Sequence, residues 1–333
     1  MSVTAPAQPI RFKRQGSFRV ILGPLVLLII GIGLYFLLGD DLAFLTRLLV
    51  IALFVISLDL VVGYCGIATL GHAALFGAGA YAAGIACIGG VTDPVLLLIV
   101  AAGAGCMAGA ISGALIARFS GLPQIVVSIA IVQLMYQLAN KASTFTGGSD
   151  GLSGISPAPV FGMFAFDFLG RTAFVFTLVV VVCVLTLLVF VVRSPFGLLC
   201  RGIKEDALRV RFMGASAYGS LVKMYTISGG VAGVAGGLAV ISTGVVALDS
   251  VSFERSAEGL IMLALGGAGG LYGALIGTAA FQTCEYLIAA VNPFHWLMIV
   301  GVLLLGVVLF LPSGLRGLVL VLIRLFGRFL RRQ

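Results

Sequence analysis

Residues 172–192 read TAFVFTLVVVVCVLTLLVFVV, with Arg171 before them and Arg193 after. No charge interrupts this run, and as a helix rising about 1.5 Å per residue it reaches roughly 30 Å, the depth of bilayer hydrocarbon. Its apolar residues fill every face, as a helix surrounded by lipid or by other apolar helices requires. The strands of a membrane barrel would instead alternate over short segments, and no such alternation occurs.

The rest of the chain repeats this reading. Of its 333 residues 61% are apolar and 10% charged, and the mean hydropathy is +1.21. A soluble core of ordinary proportions cannot hide that much apolar surface, so lipid must serve as solvent. Further spans are expected at Val20–Leu38, Phe44–Val62, Gly71–Val91, Pro94–Ala117, Leu122–Ala139, Lys223–Val246, Phe253–Gly266, Leu271–Val291 and Phe294–Leu311. The fold class is therefore an all-α polytopic membrane protein of about ten transmembrane helices, some interrupted by glycine. The first run follows Arg11, Lys13, Arg14 and Arg19 like a secretory signal, but it is too long for one and Gly39-Asp40-Asp41 is no cleavage site. It reads as a retained helix. The six cysteines lie in or beside apolar runs without a CxxC or paired pattern, as small packing residues do.

The net charge of +8 acquires meaning only through topology. With the N-terminus cytoplasmic, the inner segments collect most of the arginines and lysines, including Arg118, Arg193, Arg201, Arg209, Arg211 and the tail Arg316–Arg332. The outer segments keep Arg47, Lys141, Arg171 and Arg255 against a larger number of acids. This bias predicts an inner-membrane protein with both termini cytoplasmic and an even number of crossings. It assigns the basic surplus to the membrane face and leaves no case for nucleic acid. The expected layout is a cytoplasmic tail (1–19), a transmembrane domain (20–312) with a periplasmic loop (140–171) and a cytoplasmic loop (193–222), and a basic tail (313–333) lying on membrane lipid. Within the cytoplasmic loop, Lys204-Glu205-Asp206-Ala207-Leu208-Arg209-Val210-Arg211-Phe212-Met213-Gly214 predicts a short helix stopped by Gly214. Acids precede arginines along it, in keeping with the helix dipole.

Several kinds of chemistry are missing. None of the four lysines sits in a phosphate-binding G-x-x-x-x-G-K-[ST] loop, and no nucleophile elbow or zinc-protease motif occurs. His72 and His295 are far apart and lack metal-ligand spacing. Candidate functional residues are then the polar ones inside spans, which avoid lipid by facing helices or water. Gln133, Gln137 and Asn140 share one helical face, while Gln124 and Ser128 lie roughly opposite. One face is expected at a translocation path and the other at a neighbouring helix, although interhelical hydrogen bonding alone would also account for the amides. Asp59, Glu258 and Glu285 are intramembrane acids, and His72 begins the third span. The segment Leu70–Ala78, with Gly71 and Gly77, is faintly repeated by Leu265–Ala274, with Gly266, Gly267, Gly269 and Gly270. Paired glycine-interrupted spans point to a transport site, and close helix packing explains the same glycines.

The run Gly63-Tyr64-Cys65-Gly66-Ile67-Ala68-Thr69-Leu70-Gly71-His72-Ala73 resembles the G-Y-x-G-x-x-S-L-G-H-A segment of branched-chain amino-acid ABC permeases of the LivM/LivH type, LivM above all. So do Thr146–Ile155, Lys204–Gly214, Gly266–Gly273 and Leu311–Gly317, in the same order along the chain. The resemblance implies a type II-importer-like permease. A periplasmic binding protein would deliver the solute and a second, LivH-like permease would share the path. Two cytoplasmic ATP-binding subunits would hold ATP and magnesium, leaving this chain without a cofactor or catalytic residues of its own. Lys204, Glu205, Asp206, Leu208, Arg209, Arg211 and Gly214 would form the coupling element against an ATPase. Where such chains carry a Glu and an Arg before the T-G-G segment, this one has Gln133 and Tyr136, which opens urea, amides or aromatic acids as alternative solutes. The rival readings are an ion-coupled carrier using Asp59, Glu258 or Glu285, and an integral-membrane enzyme.

Overall fold

The computed structural model describes residues 18–291 and 301, apart from 38, 40, 161, 163, 168 and 169. The expected span Phe294–Leu311, the basic tail and the first seventeen residues lie outside the described residues. What is described is helical: α1 Phe18–Leu37, α2 Leu42–Asp59, α3 Ala73–Ile88, α4 Pro94–Ile116, α5 Leu122–Lys141, the single turn α6 Ser143–Thr146, α7 Arg171–Arg193, α8 Pro195–Phe212, α9 Ala217–Thr243, α10 Phe253–Gly266 and α11 Leu271–Val291. Among the described residues there is no strand, only two isolated bridges, Leu152 to Val246 and Val160 to Phe164.

Five of these helices are long and apolar enough to cross a bilayer: α2 with its extension to Tyr64, α4, α5, α7 and α9. The charge-free run of residues 172–192 forms α7. The count of ten is not reproduced among the described residues. Helix α3 has 16 residues and is short for a span, and α10 and α11 are bent by 111° where they meet. Taken as one broken span, that pair brings the number of candidate crossings to six.

Burial sorts the helices. In their most apolar stretches 83% of α2 and 78% of α9 is buried, against 28% of α4, 22% of α5 and 39% of α7. Helices α2 and α9 are therefore the inner rods, and α4, α5 and α7 turn much of their surface outward. Close approach of α9 to α3 and α4 depends on glycine. A β-carbon at Gly233 would strike the backbone of Ala101 and Gly105, and one at Gly79 would strike Gly233 itself. Lipid offers no hydrophobic gain for joining apolar helices, so such backbone-to-backbone packing supplies the van der Waals contact that holds them.

The bundle has two chemically distinct ends, marked by the two ends of α2. At the Asp59 end lie the C-terminus of α7, helix α8, the start of α9 and the break between α10 and α11. Tyr218, early in α9, donates to the Ala114 carbonyl at the end of α4, 3.0 Å away. At the Arg47 end, the long 142–170 loop folds over the bundle. Leu152 and Val246 exchange backbone hydrogen bonds of 2.9 and 2.8 Å, and the Ala158 amide donates to the Thr92 carbonyl at 2.8 Å. Among the described residues, Arg193, Arg201, Lys204, Arg209 and Arg211, assigned inside by sequence, lie at the Asp59 end.

Candidate functional site

At the Asp59 end three segments far apart in sequence meet. Helix α2 does not stop at Asp59 but widens into a π-helical turn, Leu60–Tyr64, a feature frequent at functional sites. Fully buried Asp59 accepts a hydrogen bond from the Gly269 amide at 2.7 Å through its Oδ1. Gly269 has φ +88 and lies in the break between α10 and α11, a conformation that a side chain would strain. One turn beyond Asp59, the Gly63 carbonyl accepts from the Lys204 Nζ of α8 at 2.8 Å. The Arg201 guanidinium stacks 4.7 Å over the Tyr64 ring. A cleft of about 220 Å³ beside these contacts is lined by Tyr64, Arg193, Arg201, Gly269 and Tyr272, among others.

Helix α8 departs from the single short helix expected at Lys204–Gly214. It begins at Pro195, where Ser194 caps it by accepting from the Gly197 amide, and it breaks at Asp206, whose φ −159 and ψ 96 are extended. Asp206 then caps the second piece, its Oδ1 accepting from the Arg209 amide at 3.0 Å. Glu205 thus ends the first piece instead of opening the helix. Gly214, at φ +84, follows the end of the helix in the left-handed conformation expected of a stop. Lys204 reaches back to the membrane helices, whereas Leu208, Phe212 and Met213 are 62%, 83% and 72% exposed. Arg209 and Arg211 are exposed beside them.

His72 is wholly buried next to Phe54 and Tyr225, with ring centroids 5.6 and 6.3 Å away. Ser57 and Ser228 each donate their hydroxyl proton to a carbonyl, of Phe54 at 2.6 Å and of Ser57 at 2.5 Å. His72 Nε2 shares a hydrogen bond with the Ser57 hydroxyl at 2.9 Å. His72 joins α2 to the start of α3 and, through Ser228, to α9; it sits at the N-cap position of α3, but its side chain makes no capping bond. Nearby, Ser128 of α5 accepts from the Leu70 amide at 3.0 Å and Ser256 of α10 from the Ala73 amide at 2.9 Å.

The two faces of α5 separate as expected. Gln124 and Ser128 are buried, while Gln133, Gln137 and Asn140 are exposed on the outside of the described bundle. Glu258 and Glu285 are brought to the Arg47 end, not to the region of Asp59. Arg255 bridges Asp249 at 2.6 Å and Glu258 at 3.3 Å, and Arg47 lies 3.7 Å from Glu285. Arg47 and Arg255 read in the sequence only as outer charges; the Arg47–Glu285 pair is long-range and has no local signal, whereas Arg255 and Glu258 stand three residues apart on α10, a spacing the sequence does offer. Both arginines line a cavity of about 530 Å³ that also reaches Phe54, Phe76 and Asp249. Gly71 and Gly77 pack against Ser128 and Val251, and Gly266 packs against Gly273 and Gly277. The faintly repeated segments thus each precede a helix, α3 or α11, but their glycines serve packing as well. All six cysteines are free thiols. Among the described residues no group of three or more His, Cys, Asp or Glu could hold a metal ion.

Comparison with known proteins places this arrangement. The family described as "Branched-chain amino acid transport system / permease component" matches residues 42–309, which takes in nearly every element above. The chain belongs to this permease family. The high-affinity branched-chain amino acid transport system permease protein LivM of Escherichia coli (strain K12) is 26% identical, over 83% of this chain and 69% of the relative. LivM of Salmonella typhimurium (strain LT2) is also 26% identical, over 78% of this chain and 66% of its own length. No solved structure matches. Permeases of this family are membrane components of transport systems, not enzymes, and ABC transport is implied by the family. Three of the motifs that carried the resemblance, around Gly63–Gly66, Lys204 and Gly266–Gly270, converge at the Asp59 end, whereas Thr146–Ile155 lies in the loop at the Arg47 end and Leu311–Gly317 lies outside the described residues.

Proposed function

We propose that this chain is one of two permease subunits of an ATP-driven importer for branched-chain amino acids or related small polar solutes. The Asp59 end faces the cytoplasm, in keeping with its basic residues, and the Arg47 end receives solute from a periplasmic binding protein. Two cytoplasmic ATPases dock on α8. The observation that carries this reading is the double attachment of α8. It offers Leu208, Phe212 and Met213 to a partner while Lys204 holds the Gly63 carbonyl inside the permease. An exposed apolar patch rimmed by arginines marks a protein contact, and here it is tied mechanically to a membrane span.

Helix α5 supports a second permease. Gln133, Gln137 and Asn140 are exposed on an otherwise apolar span, and amides facing lipid are costly. A partner subunit, with the solute path between the two, removes that cost. The presence of Gln133 and Tyr136 in place of the charged pair of similar chains supports a neutral or amide-like solute as the second reading. The ion-coupled alternative draws less support, because Asp59 is engaged by Gly269 while Glu258 and Glu285 are paired with arginines. Reconstitution tests the assignment. With ATPases, partner permease and binding protein, uptake should require ATP; uptake by the lone chain driven by an ion gradient would overturn it.

A further inference from the structure

The cavity at the Arg47 end has two unlike parts. Val50, Ile51, Phe54 and Phe76 form an apolar floor, and Arg47, Arg255, Asp167 and Asp249 bring charge to its lining. Its volume of about 530 Å³ suits a small organic molecule, since such sites occupy roughly 300–1,000 Å³. The charged groups retain capacity for a ligand. The Arg47 side chain is 58% exposed and only 3.7 Å from Glu285, too long for a tight hydrogen bond. The Asp249 side chain is 62% exposed even while one oxygen holds Arg255.

The balance of charge selects the ligand. Counting Glu258 and Glu285 beside the lining, acids outnumber Arg47 and Arg255 around the rim and leave it net negative, while Arg47, only loosely held by Glu285, can still take a carboxylate. An aromatic acid would bring a lone carboxylate to this rim and be repelled. Urea would leave the apolar floor without a partner. A molecule with an ammonium for Asp249, a carboxylate for Arg47 and an apolar side chain for the floor satisfies all three regions.

We infer that this cavity is a binding site for zwitterionic α-amino acids with aliphatic or aromatic side chains, its binding groups supplied by this subunit. It is where solute rests before entering the path between the two permeases. The inference depends on the transport reading and adds a location and residue roles: Asp249 for the ammonium, Arg47 for the carboxylate, Phe54 and Phe76 for the side chain.

Ala247 is an exposed residue of the lining, and Ala247→Cys gives a reporter with little change in volume. The variant is placed in the complete transporter in right-side-out membrane vesicles. Its labelling by a membrane-impermeant maleimide is followed against the unsubstituted chain, with L-leucine, benzoate or urea outside. L-Leucine at ten times its dissociation constant should slow labelling about tenfold by occupying all but a small fraction of sites; benzoate and urea should not. Asp249→Asn in the same background should remove the protection, and the reporter alone keeps the test intact if that variant fails to fold. Absence of L-leucine protection while ATP-driven leucine uptake persists in the same vesicles would refute this site and leave the permease reading standing. Equal protection by benzoate or urea refutes the ligand class, and labelling slow without solute and unchanged by L-leucine means a lipid chain fills the cavity, which also overturns the inference. If vesicles of the unsubstituted transporter show no ATP-driven uptake of any solute, the permease reading itself fails.

Discussion

Replacing Lys204 by methionine isolates the link between α8 and the membrane helices. Methionine retains an unbranched stem to lie beside Gly66 and removes only the ammonium that holds the Gly63 carbonyl at 2.8 Å. Hydrogen bonds to a charged group contribute about 1.5–3 kcal/mol. Lys204 is exposed, so water can take over part of the lost contact and the lower figure applies. About 1.4 kcal/mol corresponds to tenfold in an equilibrium, so a motion of α8 that pulls on Gly63 through this bond should be transmitted about ten times less effectively. In proteoliposomes holding the complete transporter, Lys204→Met should hydrolyse ATP at an ordinary rate while solute moved per phosphate released falls about tenfold. Lys204→Arg, which keeps charge and donors, should recover part of the ratio. Thermal unfolding in detergent, nearly unchanged in Lys204→Met, separates uncoupling from misfolding. An unaltered solute-to-phosphate ratio in a stable Lys204→Met transporter would show that the contact transmits nothing.

Asp59→Asn keeps an oxygen for the Gly269 amide and should cost little stability, whereas Asp59→Leu leaves that amide unpaired and should cost about 1–3 kcal/mol, visible as a lower unfolding midpoint in detergent; equal midpoints for the two variants would contradict the assignment. Gly233→Val forces a side chain into the Ala101 backbone, which cannot yield as a flexible side chain would, and should cost about 3 kcal/mol or more, read as loss of folded protein on size-exclusion chromatography. Gln137→Cys in the complete transporter should cross-link to the second permease with a short bifunctional maleimide; labelling only by lipid-soluble reagents would place that face against the bilayer. Gly269→Ala should impair uptake because φ +88 costs a side chain about 1 kcal/mol and the break positions the Asp59 contact.

The spans were legible because they rest on one-dimensional signals. Run length, flanking charge and the helical period place the ends of α2, α4, α5 and α7 within three residues of where they are and the start of α9 six residues late, and they set the Gln124 face apart from the Gln133 face. Gly214 was legible as a stop for the same local reason. The break in α8 was not, because Lys204, Glu205 and Ala207 are good helix formers and Asp206, a residue that favours caps, is equally compatible with a continuous helix that carries acids before arginines. Asp206 breaks it by using its carboxylate as a cap, a choice fixed by where each half of α8 must pack. The partners of Asp59, Lys204 and Arg47 were illegible too. Each contact joins helices brought together by glycine packing, and no period in the sequence records which helix lies beside which.

Those long-range contacts give the chain its mechanical logic. Helix α2 carries Arg47 near one end and Asp59 at the other, a separation of about 18 Å at 1.5 Å per residue. Helix α11 runs beside it, from the break that holds Asp59 to Glu285 against Arg47, and Phe44 and Tyr286 stack there with centroids 4.6 Å apart. Two rods pinned at both ends cannot slide independently without breaking a pin. A pull at Lys204 acts on Gly63, within the π-turn, where an extra residue per turn gives the backbone room to change register. From there the displacement reaches Gly269 through Asp59 and the Arg47–Glu285 pair through α11. The outer cavity shares Arg47 with that pair, so on the proposed reading a motor docked on α8 would act through contiguous contacts on the residues proposed to hold solute. Tight packing in the core makes such a route act as a switch between discrete arrangements, because close-packed side chains resist gradual deformation.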